Sequence, residues 1–298
     1  MNMEEKLSGI SKFWGLEILK ELGGRRNKYW LVKMRNQLVV LKWFHPQQYY
    51  NLEYEFLITS FLDSKNWPAP CALSDIEIID GNKFVLLKYL LGESNISSNS
   101  GGFERGKLLA KFHSAFENGF SFKQRKGYEL PEIRLQNILK DENYKQFKKD
   151  CPEKWNVADW HINESLENYY KFKLKDQPKT IVHGDFAPWN ILFLDEKFTG
   201  LVDFEMSHYN YRIADFALSW RGKYNEIIYG YETISKLSED EWKLLYPIYW
   251  GFILSGFQSE LKEFYNENRN NSVFDWTINH LIRRPQNFKI PIKEYKYN

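Results

Sequence analysis

The sequence predicts an α+β protein in which a small N-terminal antiparallel β lobe with one helix precedes a larger, mainly helical C-terminal lobe. Three observations carry this expectation. Residues 16–44 contain three short strand-like runs, residues 51–62 have the spacing of a single amphipathic helix, and the apolar period turns helical beyond the polar tract at 92–102. A chain of 298 residues accommodates one large domain or two smaller ones, and the tract containing SNISSNSGG places the boundary between 1–91 and 92–298.

The strand runs are LEILKEL (16–22), KYWLVKM (28–34) and LVVLKWF (38–44), the last two joined through the polar turn Arg35-Asn36-Gln37. NLEYEFLITSFL (51–62) sets Leu52 and Phe56 on one side, with Glu53 and Glu55 among the polar positions. After Trp67-Pro68-Ala69-Pro70, the runs CALSDIEII (71–79) and KFVLLKYLL (83–91) flank the turn Asp80-Gly81-Asn82, completing a five-stranded sheet that carries one helix. In the second lobe, Leu108, Leu109, Phe112 and Phe116 recur at helical spacing. Ser238-Glu239-Asp240-Glu241 has the form of a capping box. Residues 121–178 are dense in charge without a clean period, and the charges at 140–154 read as a solvated helical face.

Composition narrows the function classes. Against 39 Asp plus Glu stand 41 Lys plus Arg, so bulk charge makes no case for a nucleic-acid or membrane partner. Cys71 and Cys151 lack metal-site spacing and suggest a reducing compartment. MNMEEKLSGI carries acidic residues where a secretory signal has a basic end. The stretch from Leu244 to Phe257 is interrupted by Pro247, Gly251 and Gly256 and is too short to span a bilayer. The expectation is a cytoplasmic, non-membrane protein.

The chemistry concentrates in TIVHGDFAPWNILFLDEKFTGLVDFE. It delivers His183, Gly184 and Asp185, then Asn190 five positions on, then Asp203. Apolar runs at 190–194 and 200–204 bracket a polar turn, so a hairpin would bring Asn190 and Asp203 to neighbouring places. A carboxylate beside an acceptor hydroxyl, together with an amide oxygen and a second carboxylate as hard ligands, suits Mg²⁺-assisted phosphoryl transfer. A metal-hydrolase reading of His183-x-Asp185 leaves the Asn190 and Asp203 spacing unexplained, and the six histidines form no second cluster.

HGDFAPWN followed by LVDFE resembles the aminoglycoside phosphotransferase and choline kinase family, small-molecule kinases with a protein-kinase-like fold, and the resemblance spans most of the chain. It implies ATP and Mg²⁺ as cofactors, a nucleotide-binding lobe at 1–91 and a catalytic, acceptor-binding lobe at 92–298. By position, Asp185 orients or deprotonates the acceptor hydroxyl, and Asn190 and Asp203 bind the metal. Lys42 resembles the family's phosphate-binding lysine and Glu55 its ion-pair partner, with Glu53 as the rival. Gly23-Gly24 resembles the loop that covers the nucleotide, and Lys88 to Leu91, including Leu90, the hinge that binds adenine. Asp215 in YRIADFALSW resembles the buried aspartate that braces the catalytic loop. Glu205 stands where protein kinases have glycine, a position the resemblance leaves open.

Other residues read more plainly. His183 is expected to be a structural loop residue, His113 a satisfied packing histidine, and Trp189 either a substrate stack or a loop anchor. Tyr246, Tyr249, Trp250, Phe252, Phe257 and Trp276 serve equally as an aromatic acceptor wall or as core. Residues 200–298 hold 13 acidic and 12 basic side chains, so an acceptor bound through hydroxyls and ring stacking is expected over a polycation. The first expectation is an ATP-dependent phosphotransferase acting on a small-molecule hydroxyl, whether of an antibiotic or a metabolite such as choline, homoserine or a sugar. The alternative is a kinase-like nucleotide-binding module without catalysis. A protein-directed kinase fits less well, because the loop reads HGD and no APE-like segment follows DFE.

Overall fold

The computed structural model describes residues 3–24, 26–46, 52–94, 101–218 and 224–282. The polar tract at 95–100, Asn51 and the end of the 211–220 motif lie outside them. The chain forms two compact units, Met1–Ser97 with Pro188–Met206 and Ser98–Ala187 with Ser207–Asn298. The segment containing Asn190 and Asp203 therefore groups with the N-terminal unit, although it follows the second unit's first half in sequence.

The first unit is built on a five-stranded antiparallel sheet in the order β1-β2-β3-β5-β4, from β1 (Leu16–Gly23), β2 (Lys28–Met34), β3 (Gln37–Trp43), β4 (Glu77–Ile79) and β5 (Asn82–Lys88). The expected run at 71–79 contributes only its last three residues as strand, with Ala72 making an isolated bridge to Leu87. Alternation along β3 decides what each face carries. Val39, Leu41 and Trp43 join Trp30, Val32, Phe84 and Leu86 in one core. Val40 and Phe44 turn to the other face, where Val85 and Leu87 meet Leu52 and Phe56 of α2 (Leu52–Ser64).

A helix beyond the one expected, α1 (Met3–Trp14), covers the first of these faces. Met3, Leu7, Ile10 and Trp14 recur three or four residues apart and pack against the sheet, with Ile10 fully buried. Among the described residues the unit thus carries two α-helices, one per face, where one was expected. The unit also carries the three-stranded sheet β6-β8-β9, from β6 (Glu93–Ser94), β8 (Ile191–Leu194) and β9 (Lys197–Leu201).

The second unit is mainly helical: α3 (Gly102–Ser114), α4 (Pro131–Lys140), α5 (Glu142–Asp150), α6 (Pro152–Lys171), α7 (Ala214–Leu218), α8 (Tyr224–Glu232), α9 (Glu239–Ile253) and α10 (Phe257–Glu263). The charge-dense region without a clear period is thus helical, started by Pro131, Asp141 and Pro152 at successive N-termini. α3 and α8 cross closely because both contact points are glycine. A Cβ on Gly106 would lie 2.0 Å from the Ile227 carbonyl oxygen, and one on Gly230 1.8 Å from that of Phe103. The capping box at Ser238 and Glu241 forms as expected, and Glu241 also binds Arg212. Tyr249, Trp250 and Phe257 are core residues, while Trp276 is half exposed. Strands β7 (Lys179–Val182) and β10 (His208–Tyr211) pair antiparallel and bracket the loop that carries Asp185. No helix among the described residues is long and apolar enough to cross a membrane.

Candidate active site

Lys42 lies on the β3 face that looks toward α2, in register with Val40 and Phe44. Its side chain is fully buried, and its ammonium donates to both carboxylate oxygens of Glu55, at 2.8 and 2.9 Å. Glu55 is the partner and Glu53 is not, because α2 buries Leu52, Glu55, Ile58, Thr59 and Leu62 as one stripe while Glu53 faces solvent. A buried lysine loses hydration, which lowers its pKa. Here Glu55 and Glu205 outweigh that penalty, so the pKa is raised and the ammonium stays charged.

Glu205 is the site residue that the sequence reading set aside. It lies 3.4 Å from Lys42 Nζ and accepts hydrogen bonds from the Tyr29 hydroxyl and the Asn27 side-chain amide. Burial alone would raise its pKa, but Lys42, Tyr29 and Asn27 bring it below the ordinary value. Tyr29 moves the other way: burial, and then the neighbouring carboxylates led by Glu205, push its hydroxyl well up, so it remains a donor. The only signal for Glu205 in the sequence is a second carboxylate two positions after Asp203. Tyr29 and Asn27 carry none, since the contacts cross more than 170 residues of chain.

The glycine turn folds onto this group. Gly23 and Gly24 both have left-handed φ, +97° and +111°, and a Cβ on Gly24 would stand 2.1 Å from the Asn27 carbonyl oxygen and 2.9 Å from the Tyr29 ring. The missing side chain at Gly24 is thus required by the close approach to Asn27 and Tyr29. At the other end of the sheet, Lys88 closes β5 with an exposed side chain paired to Asp63 at 2.7 Å, and its backbone N–H donates to the Cys71 carbonyl. Leu90 is buried against β9, where Gly200 leaves room for it.

Asn190 and Asp203 are brought together by the β8–β9 hairpin. Asp195 and Glu196, both at positive φ, form its two-residue turn, so β9 begins at Lys197 and ends at Leu201 instead of running from 200 to 204. The backbone N–H of Val202 donates to the Asn190 carbonyl at 2.9 Å. Asn190 is buried and Asp203 exposed, and Asp203 sits in the left-handed region at φ +66°. Aspartate is one of the few L-residues that visit this region, because its short polar side chain can hydrogen-bond locally.

In the second unit, Asp185 leaves β7 at the end of His183-Gly184, half-buried. The buried Asp215 carboxylate accepts the backbone N–H of His183 on Oδ2 and that of Gly184 on Oδ1, both at 2.8 Å. His113 Nε2 lies 2.9 Å from Asp215 Oδ2, and its Nδ1 2.9 Å from the Tyr231 hydroxyl. A carboxylate only accepts, which assigns the proton to Nε2 and lets Tyr231 donate to Nδ1. Burial would raise the Asp215 pKa, yet His113 and the backbone amides hold it below the carboxylate norm. His183 is buried and its carbonyl accepts from Ser207 Oγ at 2.9 Å. His113 is thus a brace as well as a packing residue, a role no local pattern reveals.

The sequence matches the phosphotransferase enzyme family over residues 19–230. It is 24% identical over 180 residues to a homoserine kinase from Zymomonas mobilis subsp. mobilis, a match covering 57% of this chain and 52% of that protein. The chain thus spans about half the length of this curated relative. An amicoumacin kinase, solved in complex with AMP-PNP and Ca²⁺, superposes with a TM-score of 0.64 at 12% identity, covering 94% of this chain and 93% of that one. A choline kinase from Cryptosporidium parvum Iowa II gives 0.60 at 15% identity, covering 99% and 100%. The fold is therefore protein-kinase-like. With more than half of its residues inside the family match, the chain belongs to the phosphotransferase enzyme family.

Proposed function

We propose that this protein is an ATP-dependent phosphotransferase that moves the γ-phosphate to a hydroxyl of a small molecule. The observation that carries the proposal is the buried Lys42–Glu55 pair, in the same unit as the hairpin that sets Asn190 beside the Asp203 segment. A fully buried ammonium kept charged by a carboxylate is costly to build and has no packing rationale, whereas it suits a phosphate. The glycine turn at Gly23 and Gly24 is assigned to the nucleotide phosphates, and the segment from Lys88 to Leu90 to its base. AMP-PNP in the amicoumacin kinase complex supports a nucleotide as ligand.

The residues present fit Mg²⁺. Among the described residues no three His, Cys, Asp or Glu side chains form a metal-binding group. The hard oxygens of Asn190 and Asp203 make the sparse protein set that Mg²⁺ takes when phosphates and waters complete its shell. When bound, Mg²⁺ neutralises charge on the transferring phosphoryl group. Asp185 accepts or orients the acceptor hydroxyl proton, and Asp215 holds the backbone of His183 and Gly184 that aims it. Lys42 supplies positive charge to the nucleotide phosphates, with Glu55 fixing its direction. The homoserine kinase and choline kinase relatives support a hydroxyl-bearing metabolite as one acceptor class, alongside antibiotics.

Thermal unfolding tests the nucleotide and metal assignment. ATP is expected to stabilise the protein far more with Mg²⁺ than with chelator, and Asp203→Ala to remove that difference. An unchanged shift in the variant moves the metal elsewhere.

A further inference from the structure

In the second unit, burial strips Arg134 of part of its water without giving it a partner. The residue sits on the flank of α4, beside the buried stripe of Glu132, Leu135 and Ile138, and is half-buried. Burial brings its pKa below the ordinary guanidinium value, and among the described residues no hydrogen bond or ion pair reaches the guanidinium. Glu129 acts on it through space only, and Glu129 Oε2 accepts from the Asn137 amide at 2.8 Å. Glu132, on the same helix, instead accepts from the Tyr211 hydroxyl at 2.8 Å. A charge taken out of water is costly until an opposite charge meets it, and the guanidinium fork matches a carboxylate or phosphate with two parallel hydrogen bonds.

The place of this charge ties it to the catalytic loop. Helical side chains lean toward the N-terminus of their helix. For Arg134 that is the direction of Tyr128, whose phenol also acts on its charge. The Tyr128 ring packs against the Arg125 guanidinium at 4.6 Å and the His208 ring at 4.8 Å. Arg125 is buried and donates to the Ser207 carbonyl at 2.7 Å, and Ser207 Oγ donates to the carbonyl of His183, two residues before Asp185. One run of packed side chains, all within the second unit, therefore joins Arg134 to the loop that presents Asp185. The segment at 121–130 that leads into α4 holds Lys123, Arg125 and Lys126 against Glu129. An acceptor with several ammonium groups would meet like charge there.

We propose that the acceptor carries an anionic group, a carboxylate or a phosphate, and that Arg134 is the specificity-determining residue that binds it while the hydroxyl lies at Asp185. The inference deepens the phosphotransferase reading and rests on it.

Transfer of labelled γ-phosphate from ATP by the full chain, with Mg²⁺, tests it on matched acceptors: glycerol, glycerate and glycerol phosphate in one set, aminopropanol, homoserine and an aminoglycoside in the other. The anionic members are expected to have KM values at least about tenfold lower than their neutral or cationic counterparts, and the better of glycerate and glycerol phosphate identifies the group. Arg134→Gln should raise KM for the anionic acceptor about ten- to a hundredfold, with kcat changed by less than about threefold and KM for ATP unaltered, and Arg134→Lys should recover part of the loss. A merely structural role would move kcat and the KM for ATP as well. If Arg134→Gln fails to fold, the wild-type preference within the matched sets carries the test. Preference for neutral or cationic acceptors, or an unchanged KM in the folded variant, overturns the proposal and leaves phosphoryl transfer standing. Label in no acceptor overturns the transfer reading, and this proposal with it.

Discussion

The backbone N–H of His183 donates to the Asp215 carboxylate at 2.8 Å, so a buried side chain 32 residues downstream fixes the loop that presents Asp185. The same carboxylate holds Gly184 N–H and His113 Nε2, three donors in a region without solvent. Asp215→Ala leaves all three unpaired and is expected to cost about 3–5 kcal/mol, the range for stripping a partner from a buried charged network. Asp215→Asn, which keeps one acceptor oxygen, should cost less. Urea unfolding of the two variants against wild type measures both, and equal stability of Asp215→Ala would remove the brace.

Glu55 and Glu53 differ by two positions and by everything that surrounds them. Glu55→Gln leaves the fully buried Lys42 with its closest partner neutral, and a loss of roughly 3 kcal/mol is expected, near the lower end for breaking a buried pair because Glu205 remains. ATP binding should weaken along with it. Glu53→Gln, on the exposed side of α2, is expected to change stability by less than about 0.5 kcal/mol. Chemical denaturation and ATP titration of both variants distinguish the two glutamates.

Asp185 is assigned to the acceptor and not to ATP. Asp185→Asn should lower turnover by roughly 10² to 10⁴ while leaving ATP affinity nearly the same. A variant with normal turnover places the proton-accepting role elsewhere, and one with lost ATP affinity places Asp185 in the nucleotide site.

His161 predicts an acid limb in stability. Burial pushes its pKa down to about 4, against an ordinary value of 6.5. It packs edge-on against Trp160 and Trp250. Between those two values the unfolded chain binds a proton that the folded chain does not, so unfolding gains as pH falls. The contribution is whole above about pH 6.5 and lost progressively toward pH 4, amounting to up to about 3 kcal/mol. His161→Gln removes the titration, and its stability measured across that window should fall less steeply than the wild type's.

The local signals in the sequence were strong where one element decides the outcome. β2, β3 and the α2 stripe follow from period alone, and the Ser238 capping box is readable in four residues. The same stripe could have separated Glu55 from Glu53 without a family resemblance, since only Glu55 falls on the buried spacing. α1 is legible too, in the three- and four-residue spacing of Met3, Leu7, Ile10 and Trp14. What no local pattern holds is the pairing of distant segments. Glu205 meets Asn27 and Tyr29 through the fold, and His113 reaches Asp215 across 102 residues. The second hairpin strand lies at 197–201 and not at the expected 200–204, because the two-residue turn Asp195-Glu196 lacks the glycine that marks such turns.

Transfer of labelled γ-phosphate from ATP into a panel of amino alcohols, hydroxy amino acids, sugars and aminoglycosides tests phosphoryl transfer to a small-molecule hydroxyl most directly. The expected result is label in an acceptor, dependent on Mg²⁺ and lost in Asp185→Ala. Binding of Mg-ATP with no labelled acceptor across the panel would contradict such transfer and leave a nucleotide-binding module without catalysis.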